Sequence, residues 1–464
     1  MAVNEETEEA GPFVERVAAL DIGKAGLVAC LRVPSGIGSG RRRQEVTEYT
    51  TMTDDLVALA DHLICQGVEL VVMEATSSYW KPPFYVLEAA GLKVWLVNAR
   101  HVKNLPGRPK TDKIDAVWLC KVAERGMCSP SFVPDKPLRR LRNLTRYRSA
   151  LVHEATREKQ RLEKLLEDAQ VKLSVVASDI LGVSGRAMLD ALIAGHRDPG
   201  ALAELARGRM RPKRGELRRA FTGEFDDHHA MLARMMLEHI DQLAARVAAL
   251  DTEIAAAVAE IDPGGPPAGV DPATGEIPAD ADEAEATAPG ATAAEAARLG
   301  LAERLAEIPG LGPAAARVVI AEVGTDTSRF PTPDHLASWA GLAPQARESA
   351  GKAKPAKTGK GNRYLAGALG QAVLALARTQ TFYGVRYRRI RARRGRQKAV
   401  VAVSRSILVT VWHLLDDPDA RYRELGADYF DKRADPARQA AGHVRQLERL
   451  GFQVALTPRE QPAA

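Results

Sequence analysis

Arg108-Pro109-Lys110-Thr111-Asp112-Lys113-Ile114-Asp115-Ala116 sets two aspartates three residues apart at the start of a segment that reads as a helix. Residues at that spacing project from one helix face. The plain reading is an acidic first turn favoured by the helix dipole. The alternative is a cation held between the two carboxylates, and a hard divalent ion such as Mg²⁺ takes oxygen ligands. Upstream residues sharpen the choice. Asp21 ends the apolar run Val17-Ala18-Ala19-Leu20, and Glu74 directly follows the strand-like run Val68 to Met73. A charge at a strand end is costly unless it is paired or bound to metal. Asp21, Glu74, Asp112 and Asp115 together suit two metal ions about 4 Å apart, the clamp of phosphoryl transfer.

The 464 residues are enough for two or three domains. Hydrophobic residues make up 45% and aromatics 5%, with a formal net charge of +6. The four cysteines are scattered, without a C-x-x-C pair, which argues against a structural zinc site and for reduced thiols. The first eleven residues are polar and acidic, unlike a signal peptide. No apolar run reads as a membrane span, so a soluble cytoplasmic, nucleoid-associated protein with no membrane partner is expected.

Along the chain, strands are expected over 14–33, joined at Gly23-Lys24-Ala25-Gly26, and again over 45–51. Helix and strand then alternate up to the helix near Thr111. Three early strands followed by that alternation is the order of an α/β RNase H-like fold. Residues 136–168 are charged and helical, with a basic face from Arg139, Arg140, Arg142, Arg146 and Arg148. A second long amphipathic run spans 227–261, with steps that suit a coiled-coil seam or an ordinary bundle core. Residues 262–297 are Pro-, Gly-, Ala- and acid-rich, and read as a disordered linker.

These motifs carry a resemblance. Asp21-Ile22-Gly23-Lys24, Glu74-Ala75-Thr76-Ser77-Ser78-Tyr79-Trp80 and Lys110-Thr111-Asp112-Lys113-Ile114-Asp115-Ala116 resemble the RuvC-like domain of the DEDD transposases of the insertion sequence 110 family. Ser77 stands where that family usually has glycine. The second half adds Ile308-Pro309-Gly310-Leu311-Gly312-Pro313, Ala340-Gly341-Leu342-Ala343-Pro344 and Lys357-Thr358-Gly359-Lys360-Gly361-Asn362-Arg363-Tyr364-Leu365, which resemble the family's C-terminal domain. The first of these also reads as a helix-hairpin-helix-like motif, whose glycines let backbone N–H groups approach a phosphate. The alternative is a plain joint between helices. The resemblance implies that Ser349 is a nucleophile, with Ala350 before Gly351 where the family has glycine directly.

The expected order is a RuvC-like (RNase H-like) acidic catalytic domain at 14–135, a helical coiled-coil middle at 136–261, and the linker at 262–297. A mainly α, basic serine transposase domain follows at 298–430, then a charged helical tail at 431–464. From Gln345 to Ala399 there are fifteen Lys or Arg and one acid, Glu348. Such a run repels itself unless a polyanion neutralises it. Candidate nucleic-acid contacts are Lys110, Arg139, Arg140, Gly310, Gly312, Lys352, Lys354, Lys357, Lys360, Arg363, Arg388 and Arg389.

A serine hydroxyl needs a base or metal to attack at neutral pH. The implied reaction is recombination through a phosphoserine-linked DNA end, assisted by two Mg²⁺ ions per site. The resemblance further implies element-end and target DNA, a guide-type structured RNA, and a homo-oligomer, dimer or tetramer, with active sites shared between subunits. Two other readings stay open. One is a RuvC-like structure-specific endonuclease using metal-activated water, and the other is a non-catalytic RNA or DNA scaffold.

Overall fold

The computed structural model describes residues 14–35, 42–98, 112–262, 299–344, 347–349, 352–354, 358–433 and 436–456. The segment expected to be a linker lies outside the described residues from 263 onward. The chain divides into two compact units, residues 1–134 and 135–464.

The first unit is built on a five-stranded mixed sheet in the order β3-β2-β1-β4-β5. Its strands are β1 (Val17–Ile22), β2 (Gly26–Pro34), β3 (Arg42–Thr50), β4 (Leu70–Glu74) and β5 (Val94–Val97). The first three are antiparallel, while β4 pairs parallel with β1 and β5 parallel with β4. Both faces of β1 and β4 are covered, which is why both strands read as unbroken apolar runs. Helices α1 (Thr53–Cys65) and α2 (Lys81–Ala89) cover one face through Leu56, Leu59, Leu63, Phe84 and Leu87. Helix α3 (Asp112–Glu124) covers the other with Ala116, Leu119, Cys120 and Ala123 against Val17, Ala19, Leu70 and Val72. Arg32 and Arg42 both reach Glu124 at the end of α3, at 2.7 and 2.9 Å. Strand β3 therefore begins three residues before the alternation of its side chains predicts.

The second unit hangs on two long helices, α4 (Lys136–Asp168) and α9 (Asp227–Ile261). They run antiparallel: Arg148 pairs with Asp251 at 2.6 Å and Glu154 with His239 at 3.4 Å. At one end Leu162 and Leu166 share a core with Ala230, Ala233 and Leu237. That core also takes the short helices α5 (Leu173–Val176), α6 (Val183–Ile193), α7 (Pro199–Glu204) and α8 (Arg214–Ala220). At the other end Leu138, Leu141, Ile254 and Val258 join the core of the C-terminal helices. Thus α4 and α9 find each other within one chain. The helix-sized apolar stripe of 227–261 faces α4 rather than needing a second copy to cover it.

The C-terminal helices are α10 (Leu301–Ala306), α11 (Pro313–Val323), α12 (Pro333–Trp339), α13 (Arg363–Leu376), α14 (Phe382–Arg394), α15 (Arg396–Asp416), α16 (Tyr429–Lys432) and α17 (Pro436–Arg449). A two-stranded hairpin, β6 (Arg347–Ser349) and β7 (Lys352–Lys354), stands between α12 and α13. By length and composition α15 is apolar enough to cross a membrane, which the reading of the sequence did not anticipate. Its Val403, Ile407, Leu408 and Val411 are fully buried in the core instead.

Glu322, on α11, is fully buried. Arg146 donates to it from Nε and a terminal nitrogen at 2.8 and 2.7 Å, and Asn362 Nδ2 donates at 2.5 Å. Arg142 donates to the carbonyls of Ala321 and Glu322 at 2.7 and 2.6 Å. Burial pushes the Arg142 guanidinium down to about 10, while its hydrogen bonds to Glu322 hold Arg146 above its ordinary value. Removing one partner of a buried ion pair costs roughly 3–5 kcal/mol, because the other charge is left uncompensated. Glu322→Ala should therefore lower the unfolding free energy of the second unit by that order, read as a lower urea midpoint with m unchanged. A wild-type midpoint would show that the carboxylate is dispensable.

Candidate active site and nucleic-acid interface

Side chains on a strand alternate between faces. In β1, Val17 and Ala19 face α3, whereas Ala18, Leu20 and Ile22 face α1 and α2. Asp21 therefore continues the α3-facing row. In β4, Leu70 and Val72 face α3 and Val71 and Met73 face away, so Glu74 also falls on the α3 side. The parallel register ends at Leu20 beside Met73, which sets Asp21 next to Glu74 one step further on. Both are half-buried at the carboxyl ends of adjacent parallel strands.

Helix α3 brings the third acid to the same place. Its carboxyl end is tied to the start of β1, where Val14 N donates to Glu124 O at 3.2 Å. Glu124 also holds Arg32, which pairs in register with Val17. The helix thus runs back along β1 and presents its amino end where β1 terminates. Asp115, half-buried, lies one turn before Leu119 on the sheet-facing side. The Asp112 backbone opens the helix, and its side chain lies outside those described.

Three carboxylates thus point to one end of one sheet face. Among the described residues, no three His, Cys, Asp or Glu side chains are gathered closely enough to hold a metal. The donor set is all oxygen, which fits a hard divalent cation.

Beyond Glu74 the chain turns sharply, with Thr76 N donating to Glu74 O at 2.8 Å. Ser77 sits at φ 48°, in the left-handed region. A glycine there costs no strain, whereas an L side chain does. Ser77 is exposed, so no packed neighbour adds to that local cost. The departure from glycine at this position is therefore a local strain and leaves the turn in place.

The C-terminal motifs assemble around the hairpin. Pro344 and Thr358 form a bridge at its foot, and Ser349 pairs in register with Lys352 at its far end. Ser349 is the last residue of β6, with Ala350-Gly351 as the connection. The side chains of Ser349, Lys352, Lys354 and Lys357 lie outside those described, as do Lys110 and Thr111. Gly341, at φ 73°, lies against the backbone of Gly361, so that a Cβ would meet Gly361 N at 2.7 Å. The Ala340-to-Pro344 and Lys357-to-Leu365 motifs are thus two halves of one close backbone packing. Asn362 caps α13, its Oδ1 accepting from the N–H groups of Tyr364 and Leu365 at 3.0 and 3.3 Å.

The expected nucleic-acid residues divide into two groups. Gly310, at φ 83°, packs on α13, where a Cβ would meet Ala372 O at 2.6 Å. Its glycine is explained by packing between helices. Gly312 caps α11 with open space beside it. Arg388 donates to the carbonyls of Ala377 and Thr379 at 3.3 and 2.7 Å, closing the end of α13. Arg389 lies over the Phe430 ring at 4.7 Å, and Arg363 over Tyr364 at 4.7 Å. Arg140 approaches Glu260 at 3.8 Å, and Arg139 too has a partner in the structure. Lys360 is exposed.

Reading the sequence missed Glu322 and the role of Asn362. The available signal was an acid inside the apolar run Val318-Val319-Ile320-Ala321-Glu322-Val323.

Three antiparallel strands followed by two parallel ones, with acids at the carboxyl ends of β1 and β4, define an RNase H-like class of fold. A family model described as Transposase, of the IS110 DEDD type, matches residues 18–170, and one described as Transposase IS116/IS110/IS902 family matches residues 302–387. The two matches together cover more than half of the chain, and the protein belongs to this transposase family. Among solved structures, the RuvC of Thermus thermophilus matches at 16% identity, over 25% of this chain and 99% of that one, with a TM-score of 0.21. No curated protein matches the chain.

Replacing Ser77 by valine, whose β-branch is least compatible with positive φ, should cost about 1–2 kcal/mol. Ser77→Gly should unfold at or above the wild-type temperature. Thermal unfolding of the two variants checks this, and a stable valine variant would show that the turn carries no strain.

Proposed function

We propose that the protein cuts and rejoins DNA by a metal-assisted serine mechanism. The observation that carries the reading is the shared placement of Asp21 and Glu74 at one end of the sheet, beside the amino end of α3. Asp21, Glu74, Asp112 and Asp115 would hold two Mg²⁺ ions. When bound, such ions neutralise charge on the scissile phosphate and assist the attacking hydroxyl.

The serine at the hairpin tip supplies the nucleophile. Its Oγ attacks phosphorus and loses its proton. The bond from phosphorus to the 3′-oxygen breaks, and that oxygen leaves as a 3′-hydroxyl. The DNA 5′-phosphate is then esterified to Ser349. One phosphoester replaces another, so reversal with a different 3′-hydroxyl rejoins DNA without ATP. The reading includes a homo-oligomer whose subunits share sites, and a structured RNA that selects DNA. Delegating sequence choice to base pairing fits a chain with no zinc finger or homeodomain motif.

The second reading is hydrolysis by water at the acidic cluster, with Ser349 holding a loop. It is favoured by the placement of Asp21, Glu74 and Asp115 toward one end of the sheet within the first unit alone.

A denaturing gel with labelled element-end DNA, element-derived RNA and Mg²⁺ separates the two. Recombination predicts a DNA-shifted protein band that Ser349→Ala and Asp115→Ala both abolish. Free nicked DNA that survives Ser349→Ala but not Asp115→Ala would leave only hydrolysis. Calorimetric titration tests the acids independently. Asp21→Asn and Glu74→Gln should each weaken Mn²⁺ binding by about tenfold or more, a loss of about 1.4 kcal/mol. Unchanged binding would remove these residues from the metal site.

A further inference from the structure

A cavity of about 1260 Å³ opens in the second unit between α14 and α15. It exceeds the roughly 300–1,000 Å³ of ordinary small-molecule sites, so an extended ligand suits it better than a compact one. Ile390, Val401, Val409 and Leu414 contribute its apolar lining. Tyr422 also lines it, half-buried, and stacks on Tyr383 with ring centroids 6.3 Å apart.

Its rim is cationic and only partly neutralised. Arg405 and Arg421 are paired, with Asp334 and Glu307. Arg386, Arg394, Lys398 and Arg423 also line it and have no carboxylate partner among the described residues. The Nε of Arg386 is buried with no hydrogen-bond partner among the described residues. A buried donor left unmade is expensive, and a bound oxyanion would satisfy it. Cations gathered without acids repel one another until an anion arrives.

The chemistry of the occupant follows from the two linings together. A nucleic-acid duplex presents its phosphates outward and needs cations but no apolar floor. An unpaired strand presents phosphates on one side and flat apolar bases on the other, and single-strand grooves combine these same two linings. Position adds a third point. Pro344 and Thr358 line the cavity, and their bridge is the foot of the Ser349 hairpin.

We propose that this groove takes an unpaired stretch of the DNA strand being exchanged. Its bases lie toward Val401 and Tyr422, and its phosphates toward Arg386, Arg394, Lys398 and Arg423. The strand runs on to the serine hairpin, a path that rests on the reading of Ser349 as nucleophile. The groove thereby holds a strand end after it has left its duplex.

The test is fluorescence anisotropy with the full-length protein, without Mg²⁺. The probes are labelled oligothymidylate, labelled oligouridylate and a labelled DNA duplex of equal length. Val401→Trp fills the floor, Arg386→Gln removes the buried donor, and Lys398→Gln removes one phosphate contact. Oligothymidylate binding should weaken about tenfold in the first two variants, the scale of one lost stacking or charged contact. Duplex binding should change less than about twofold, well inside a single charge contact. Lys398→Gln should reduce the slope of log affinity against log salt by about 0.7. Thermal unfolding of each variant, with Lys398→Gln on an exposed surface as the mildest, separates lost binding from lost folding. Wild-type oligothymidylate binding that survives groove filling would overturn the proposal. So would equal losses for strand and duplex, or binding of oligouridylate alone. Because no cleavage is required, failure here leaves the serine mechanism standing, and failure of the adduct gel leaves strand binding standing.

Discussion

The buried Glu322 carboxylate is the contact on which the second unit depends. It receives hydrogen bonds from Arg146 of α4 and Asn362 at the start of α13, and its own backbone carbonyl receives Arg142. A full charge in the interior is tolerable only when its oxygens are satisfied and its charge is compensated. The requirement therefore fixes three separate segments to one another. One consequence reaches the hairpin. Asn362 both bonds Glu322 and caps α13, so the loop that packs Gly361 on Gly341 starts from a fixed point. The hairpin carrying Ser349 is anchored between those two motifs through Pro344 and Thr358.

In the first unit the equivalent constraint is the direction of α3. A helix with acids at its amino end brings them to Asp21 and Glu74 only if it runs back along β1. Glu124 sets that direction by engaging Arg32, Arg42 and the Val14 amide at the opposite end. The same helix thus has one acid that fixes its direction at the carboxyl end and two acids at its amino end, separated by its length. The cluster is not closed around a metal among the described residues.

The arginines show how little a residue type says by itself. Arg139, Arg140, Arg142, Arg146 and Arg148 form one basic face on paper. In the fold, Arg142 and Arg146 serve Glu322, and Arg148 serves Asp251. Arg388, deep in the most basic stretch, closes the end of a helix. Arg386, Arg394, Lys398 and Arg423, without a carboxylate partner among the described residues, border the groove between α14 and α15, where Arg386 keeps a buried donor unmet.

Much of this was legible beforehand. The continuous apolar runs ahead of Asp21 and Glu74 placed both acids at strand ends, because a strand covered on both faces is apolar along its length. The three-residue spacing of Asp112 and Asp115 predicts one shared helix face for an equally local reason, with the Asp112 side chain outside those described. The unusual Ser77 was visible as a departure, and its left-handed backbone supplies the reason glycine is usual there. What the sequence could not contain is the outcome of long-range pairing. That α4 and α9 cover each other within one chain, that Gly310 is small to admit α13, and that Glu322 is buried completely all depend on which surfaces meet. Local periodicity determines which face of an element is apolar. Only the closed fold decides what that face touches, and so which charges are consumed inside the protein and which remain for a ligand.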